Sequence, residues 1–332
     1  MKHLILSEFI KKDLNPNLSQ TAFLLGNGIN NHCETTSSWK NLLIDLAHKH
    51  IDNRNDFKKI LEDNSVSYPE FFDLIQLSRK NKFIPIDYKS IKKSISDGFK
   101  IWMPQPTHTI WTEKMIELNR PVLTTNFDFL LELSTLQIKD FILKKQSDNK
   151  RFTPLSIKNK GGKREFNDFY PWRSYYSNKE IANSNNEFAI WHIHGFCDYS
   201  RSIRLGLSDY MGVVEKARKL LFKSDGNPFN KRENLNNWVG HNTWLDIFLN
   251  NNLIIIGIGL DVQETSLRWL LLEKEKLFCK YPSIRKKTWF ILNKQYDRME
   301  HGKQLFFEKL NIEIIHAEDS KQVYETIPKL LK

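Results

Sequence analysis

The sequence predicts an α/β protein built on an open, doubly wound, mostly parallel sheet with a helical insertion. Three observations predict it. Short apolar runs of strand length recur at Ala22–Leu25, Val122–Thr124, Ile190–Ile193, Leu253–Ile258, Thr288–Leu292 and Ile312–Ile315; they are continuous rather than alternating, as in strands covered on both faces. Apolar residues at helical spacing lie between them, the alternation of a parallel sheet with crossover helices. Several of the runs end in glycine or in short polar residues, where open α/β sheets present their ligand-binding groups.

Taken in order, the first run leads into a helix carrying Trp39, Leu42, Leu43, Leu46 and Ala47 on one stripe, introduced by the capping residues Thr35-Thr36-Ser37-Ser38. Residues 52–105 then interrupt the alternation; stretches such as Phe71–Leu77 mark them as a helical insertion. Ile110, Met115 and Ile116 belong to a helix just before the second run. Residues 135–188 form a second interruption, polar and aromatic, with Phe169-Tyr170-Pro171-Trp172 and Tyr175-Tyr176. The polar loop Lys223–Asn237 precedes the Leu253 run. Leu267, Leu270 and Leu271 begin a further helix, and Val323, Ile327, Leu330 and Leu331 a last one. We expect one domain over 1–332 that includes both interruptions.

Composition limits the function classes. The opening MKHLILSEFIKKD has too short an apolar stretch for a secretory signal. The longest apolar run, Leu253 to Ile258, is far short of the roughly 20 residues of a membrane span. The expectation is a soluble cytoplasmic protein with no membrane association. Cys33, Cys197 and Cys279 lie far apart with no Cys-x-x-Cys pair, which excludes a four-cysteine structural zinc; Cys279 reads as a buried or half-buried small residue. The net charge of +11 concentrates between Lys144 and Arg164, with eight basic residues against Asp148 alone. Few aromatics accompany them, so a solvated loop or hairpin fits better than nucleic-acid recognition.

The candidate chemistry sits at the ends of the runs. Gly26-Asn27-Gly28-Ile29-Asn30-Asn31 would let the backbone approach a phosphate at a helix N-terminus. Asn31 occupies the place of the dinucleotide fingerprint's third glycine, and no acidic residue ends a second strand to grip a ribose, so an ordinary dehydrogenase is excluded. Thr124-Thr125-Asn126-Phe127-Asp128 places two short polar groups at a strand tip, with helix capping as the alternative. Trp191-His192-Ile193-His194-Gly195 puts two histidines on one face if the strand continues that far. No carboxylate or cysteine set completes a metal site there, and no metal is expected. Gly257-Ile258-Gly259-Leu260-Asp261 offers a second glycine turn, with Asp261 capping the next helix as the alternative.

In their joint order these segments resemble the sirtuin-like family, especially its bacterial antiphage-defence branch, from Phe23 to about Leu271. Gly26-Asn27-Gly28-Ile29 is similar to the family's first glycine loop, with Asn27 where alanine is usual. Trp39 and Leu42-Leu43 are similar to the defence branch's first helix. Thr125-Asn126-Phe127-Asp128 matches the segment whose asparagine orients the attacked ribose, and His194-Gly195 the catalytic histidine. Asp198 and Leu207-Ser208-Asp209-Tyr210 resemble a signature of the defence branch, and Gly257 to Asp261 the loop near the adenosine half.

The resemblance implies a sirtuin-like, Rossmann-like fold and NAD as substrate, with no further cofactor. Gly26, Asn27, Gly28, Ile29, Asn30 and Thr125 would line one half of the dinucleotide, and Gly257, Gly259 and Asp261 the other. Asn126 would position water or ribose hydroxyls, His194 would act as base, and Asp128 would orient Asn126 or touch ribose. The missing zinc module argues against protein deacylation and for hydrolysis of NAD to nicotinamide and ADP-ribose. The expectation is thus a regulated antiphage effector controlled by a separate partner protein or by self-oligomerisation. The rival readings are an NAD-dependent deacylase and a silent sensor of NAD or ADP-ribose.

Overall fold

A computed structural model describes residues 4–33, 38–50, 57–62, 65–77, 87–134, 156–159, 172–178, 181–223, 226–231, 237–295 and 299–332. Its sheet has nine strands: β1 (Leu4–Ile5), β2 (Thr21–Leu25), β3 (Val122–Thr124), β4 (Ser156–Asn159), β5 (Ser174–Ser177), β6 (Ile190–His192), β7 (Asn252–Ile256), β8 (Thr288–Asn293) and β9 (Ile312–Ala317). Their order is β1-β9-β8-β7-β2-β3-β6-β5-β4. Every pairing from β1 to β6 is parallel; the β4–β5 and β5–β6 pairings are antiparallel.

The six expected runs are all strands of this sheet. Their continuous apolar character follows from burial on both faces: Ala22 and Leu24 of β2 enter one core with Leu253 and Ile255 of β7, while Phe23 and Leu25 enter the other with Ile254 and Ile256. Burying a leucine, isoleucine or phenylalanine side chain contributes about 1.5–3 kcal/mol. The sequence reading missed β1, which is only two residues long, and did not place β4 and β5, offering over 144–164 only a loop or hairpin. The Lys144–Arg164 stretch, apart from β4, lies outside the described residues, as do Thr35-Thr36-Ser37 and Phe169-Tyr170-Pro171.

Helices cover both faces. Those with an expected stripe are Trp39–His50, Tyr68–Leu77, Pro106–Glu117 and Thr265–Lys280. Within 52–105 the described helices Phe57–Glu62, Tyr68–Leu77 and Tyr88–Phe99 pack with Trp39–His50 around a separate apolar cluster, which reaches the sheet edge through Phe127, Ile203 and Leu205. The chain's last helical segment joins a π-helical turn, Gln322–Thr326, to the helix Ile327–Leu330, burying Val323 and Ile327. Among the described residues no helix is long and apolar enough to cross a membrane. Cys279 departs from expectation: it is exposed, on the outer side of Thr265–Lys280, with its sulfur 3.3 Å from Glu275.

The winding has a definite switch point. From β2 the chain goes to β3 and β6 on one side, and later places β7, β8 and β9 on the other. Ligand crevices in such sheets open beyond the carboxyl ends of the strands at this reversal. Register brings the ends level: Leu25 pairs with both Thr124 and Ile256, and Thr124 pairs with His192. Residues 26–28, 125–128, 193–195 and 257–259 therefore emerge side by side.

Candidate active site

A cleft of about 460 Å³ opens at that edge, a size typical of small-molecule sites. Of the residues singled out in the sequence, Asn27, Gly28, Thr125, Asn126, Asp128, His194, Gly257 and Gly259 line it. Gly26, Ile29, Asn30 and Asp261 lie behind or beside its wall.

The two glycine turns are built against each other. The Gly28 amide donates to the Gly257 carbonyl at 2.9 Å, and the Gly26 amide to Ile256 at 2.9 Å. A Cβ on Gly28 would fall 2.1 Å from the Tyr324 hydroxyl and 2.6 Å from the Gly257 Cα, and Gly257 itself has φ +70°. Only glycine fits at both places. Behind the first turn, Asn30 donates to Asn27 at 2.9 Å and to Asp128 at 2.8 Å, and the Nε2 of His108 reaches the Asn30 side-chain oxygen at 3.0 Å. The Gln105 amide donates to Nδ1 of the same histidine at 3.0 Å, so Nε2 carries the proton and donates. Burial lowers the pKa of His108 to about 4, consistent with that neutral tautomer.

Asp128 serves this network. It accepts from Asn30 and, at 3.1 Å, from the Leu130 amide. Burial pushes its carboxyl up, while those two donors pull it down. No hydrogen bond joins it to Asn126 among the described residues, so its expected role of orienting Asn126 passes to other groups.

Asn126 is 7% exposed. Its amide nitrogen donates to Thr124 Oγ1 at 3.1 Å, and its carbonyl faces Nδ1 of His192 at 2.7 Å. The side-chain Nδ2 makes a long contact of 3.4 Å with the Gly26 carbonyl. Its Oδ1 is buried and has no hydrogen-bond partner among the described residues. Leaving such an acceptor unmet costs roughly 1–3 kcal/mol, and the residue that carries it lines the cleft.

The two histidines part company. Strand β6 stops at His192, the Gly195 amide turns back to the His192 carbonyl at 3.3 Å, and Gly195 takes φ +91°. They do not share a face. His192 enters the core beside Phe129 and Tyr176, with Nε2 2.7 Å from Glu132 and Nδ1 on the Asn126 carbonyl. Both nitrogens face acceptors, which only an imidazolium satisfies. Burial alone would depress its pKa, but Glu132, the Asn126 carbonyl and Asp128 together outweigh that and the pKa is raised. His192 is thus a charged strut beneath Asn126.

His194 lines the cleft and is 5% exposed, its ring edge-on to Tyr210 at 5.4 Å. No hydrogen bond holds its ring nitrogens among the described residues. Burial first, then nearby Arg204, lowers its pKa to about 3, so the ring is neutral across the physiological range.

The Leu207–Arg218 helix explains the Asp209-Tyr210 pair. Asp209 accepts from the Tyr88 hydroxyl, from Lys92 at 2.9 Å and from the Leu205 amide at 3.0 Å. It therefore ties the layer of helices around Tyr88–Phe99 to the segment carrying Tyr210.

Sequence reasoning missed several lining groups. Ile291 and Asn293 come from the end of β8, Ser320 from the segment after β9, Val323 and Tyr324 from the turn Gln322–Thr326, and Glu264 is the residue before Thr265–Lys280. Glu132 and His108 support the site from behind. Only His108 left a signal, as the third residue after the helix-capping Gln105, with Pro106 between.

A family model described as a SIR2-like domain matches residues 120–315, more than half of the chain. That span includes Asn126, His194 and Glu264 but leaves out the first glycine turn. Among curated proteins no match was found. Among solved structures the chain is similar to one titled a Sir2 homologue mutant in complex with ADP-ribose, at 8% identity, over 90% of this chain and 94% of that chain, with a TM-score of 0.29.

Proposed function

The chain belongs to the SIR2-like domain family, and from that premise we propose that it hydrolyses the bond between nicotinamide and ribose in NAD. Family membership associates the chain with NAD-related activity in general. The finer reading rests on one observation: an unmet amide oxygen, Asn126 Oδ1, and a neutral imidazole, His194, line one cleft between two glycine turns at the switch point of the sheet.

Cleavage passes through an oxocarbenium-like state, as in other glycosyl transfers. Nicotinamide departs as a neutral ring, so no strong general acid is required. What the site must do is hold the ribose and aim a water at the anomeric carbon. Asn126 Oδ1 is free to accept a hydrogen bond from such a water or from a ribose hydroxyl, and its backbone is clamped at both ends by Thr124 and His192. His194 offers a lone pair to the same water or to a neighbouring hydroxyl. The glycine turns bring backbone close enough to meet the pyrophosphate, with Asn27, Gly28 and Thr125 on one half of the dinucleotide and Gly257 and Gly259 on the other, while Gly26, Ile29, Asn30 and Asp261 support those turns from behind or beside the wall. Asp128 acts at one remove, through Asn30.

Uncontrolled loss of NAD would harm any cell that makes this protein. We therefore place the activity in a regulated antiphage effector, held silent until a partner protein or self-assembly releases it. The test is nicotinamide release by the full chain and by Asn126→Ala and His194→Ala. Both variants should lose release while binding ADP-ribose and staying folded; wild-type turnover in either removes that residue from the mechanism.

A further inference from the structure

We propose that Glu264 is a catalytic residue of this cleft, the group that receives the proton of the attacking water. The inference rests on the hydrolase reading above. Glu264 occupies the N-cap position of the Thr265–Lys280 helix, yet its side chain does not cap it. Among the described residues its carboxyl has no hydrogen bond and no ion pair. It lines the cleft beside Gly259, Gln263 and Tyr210, and the Tyr210 ring lies against His194. Asp261, the acid singled out in the sequence for this turn, is exposed and turned away toward Lys303 at 2.9 Å. Glu264 is thus the acid of this loop that the cleft retains.

The reaction needs such a group. As water oxygen bonds to the anomeric carbon, the carbon–nitrogen bond breaks, its electron pair neutralises the nicotinamide ring, and one water proton must leave. His194, with a pKa of about 3, orients a water well but is a poor sink for its proton near neutrality. Burial, then the like charge of Asp261, raises the Glu264 carboxyl to about 7, the range in which a general base works best. The other titratable groups facing it are Tyr210 and Tyr68, phenols that its own charge pushes further up. Ionised Glu264 would take the water proton and release it to solvent as product leaves.

The experiment follows nicotinamide release against pH for the full chain, Glu264→Gln and Glu264→Ala, with ADP-ribose binding measured alongside. The wild type should rise through an acid limb with its midpoint near 7. Glu264→Gln should lose the limb and fall on the order of 10²–10⁴-fold, with ADP-ribose binding retained. Azide, a nucleophile with no proton to lose, should restore release in Glu264→Ala; a merely structural role gives no such rescue. A variant that keeps the wild-type rate and acid limb overturns the proposal, as does one with raised KM but unchanged kcat and limb, or one that azide leaves inactive. A wild type that releases no nicotinamide sinks the hydrolase reading itself, a distinguishable result.

Discussion

Removing Glu132 should unfasten the candidate site from below, and two substitutions separate charge from hydrogen bonding. Glu132 is 0% exposed and its partner His192 3%. With Glu132→Ala the imidazolium loses its counter-charge in a dry site. The ring must shed a proton, keep one bond to the Asn126 carbonyl and leave Nε2 unmet. Breaking a buried pair by removing one partner costs about 3–5 kcal/mol. Glu132→Gln differs: the amide can donate to a neutral Nε2 while Nδ1–H still meets Asn126, so both hydrogen bonds survive without charge and the loss should be about 1 kcal/mol.

Loss of the charge also leaves a pH signature. The raised His192 pKa means that its stabilisation is complete below the unfolded value near 6.5 and is lost as pH climbs through the folded value. The wild-type advantage over Glu132→Gln should therefore be larger at about pH 6 than at about pH 9. Urea denaturation with matched m values measures it. An alanine variant within about 1 kcal/mol of wild type, or a glutamine gap that widens with pH, refutes the charged-strut account.

Other outcomes follow from the same geometry. Gly195→Ala would set a Cβ 2.0 Å from the Ser202 carbonyl oxygen at φ +91°, and should cost more than about 3 kcal/mol by thermal unfolding, since strain and backbone collision add. Asn126→Ala removes an unmet acceptor, so its melting temperature should match or slightly exceed wild type even as nicotinamide release disappears. His108 is buried neutral, with a folded pKa of about 4; its unfolded form binds a proton first, so stability should fall as pH drops from about 6.5 toward 4, by up to roughly 3 kcal/mol. His108→Gln should flatten that acid decline, and an unchanged slope counts against the assigned tautomer.

What could be read from the chain alone depended on how local each feature was. The Leu253 and Thr288 runs announced themselves because strands buried on both faces must be apolar throughout. The Gly26 and Gly257 turns announced themselves because close backbone approach admits nothing larger. The strands β4 and β5 could not be placed beyond a loop or hairpin, since an antiparallel edge among polar and aromatic residues has no continuous apolar run. Asn126 and His194 were visible as strand-tip residues, but the separate fates of His192 and His194 turn on the single conformation of Gly195. The support from Glu132 and His108 was invisible because it is made by residues distant in sequence or behind the wall. Glu264 was passed over for Asp261, three residues earlier; only the turn of the backbone shows which acid faces inward.

The most direct measurement is the NAD and nicotinamide content of cells expressing the chain with its natural gene neighbours, beside cells carrying Asn126→Ala or His194→Ala. The account predicts that NAD falls and free nicotinamide rises once the wild-type protein is triggered, and that neither happens with either variant. NAD loss that persists in both variants, or a triggered wild type that leaves NAD intact, would contradict it.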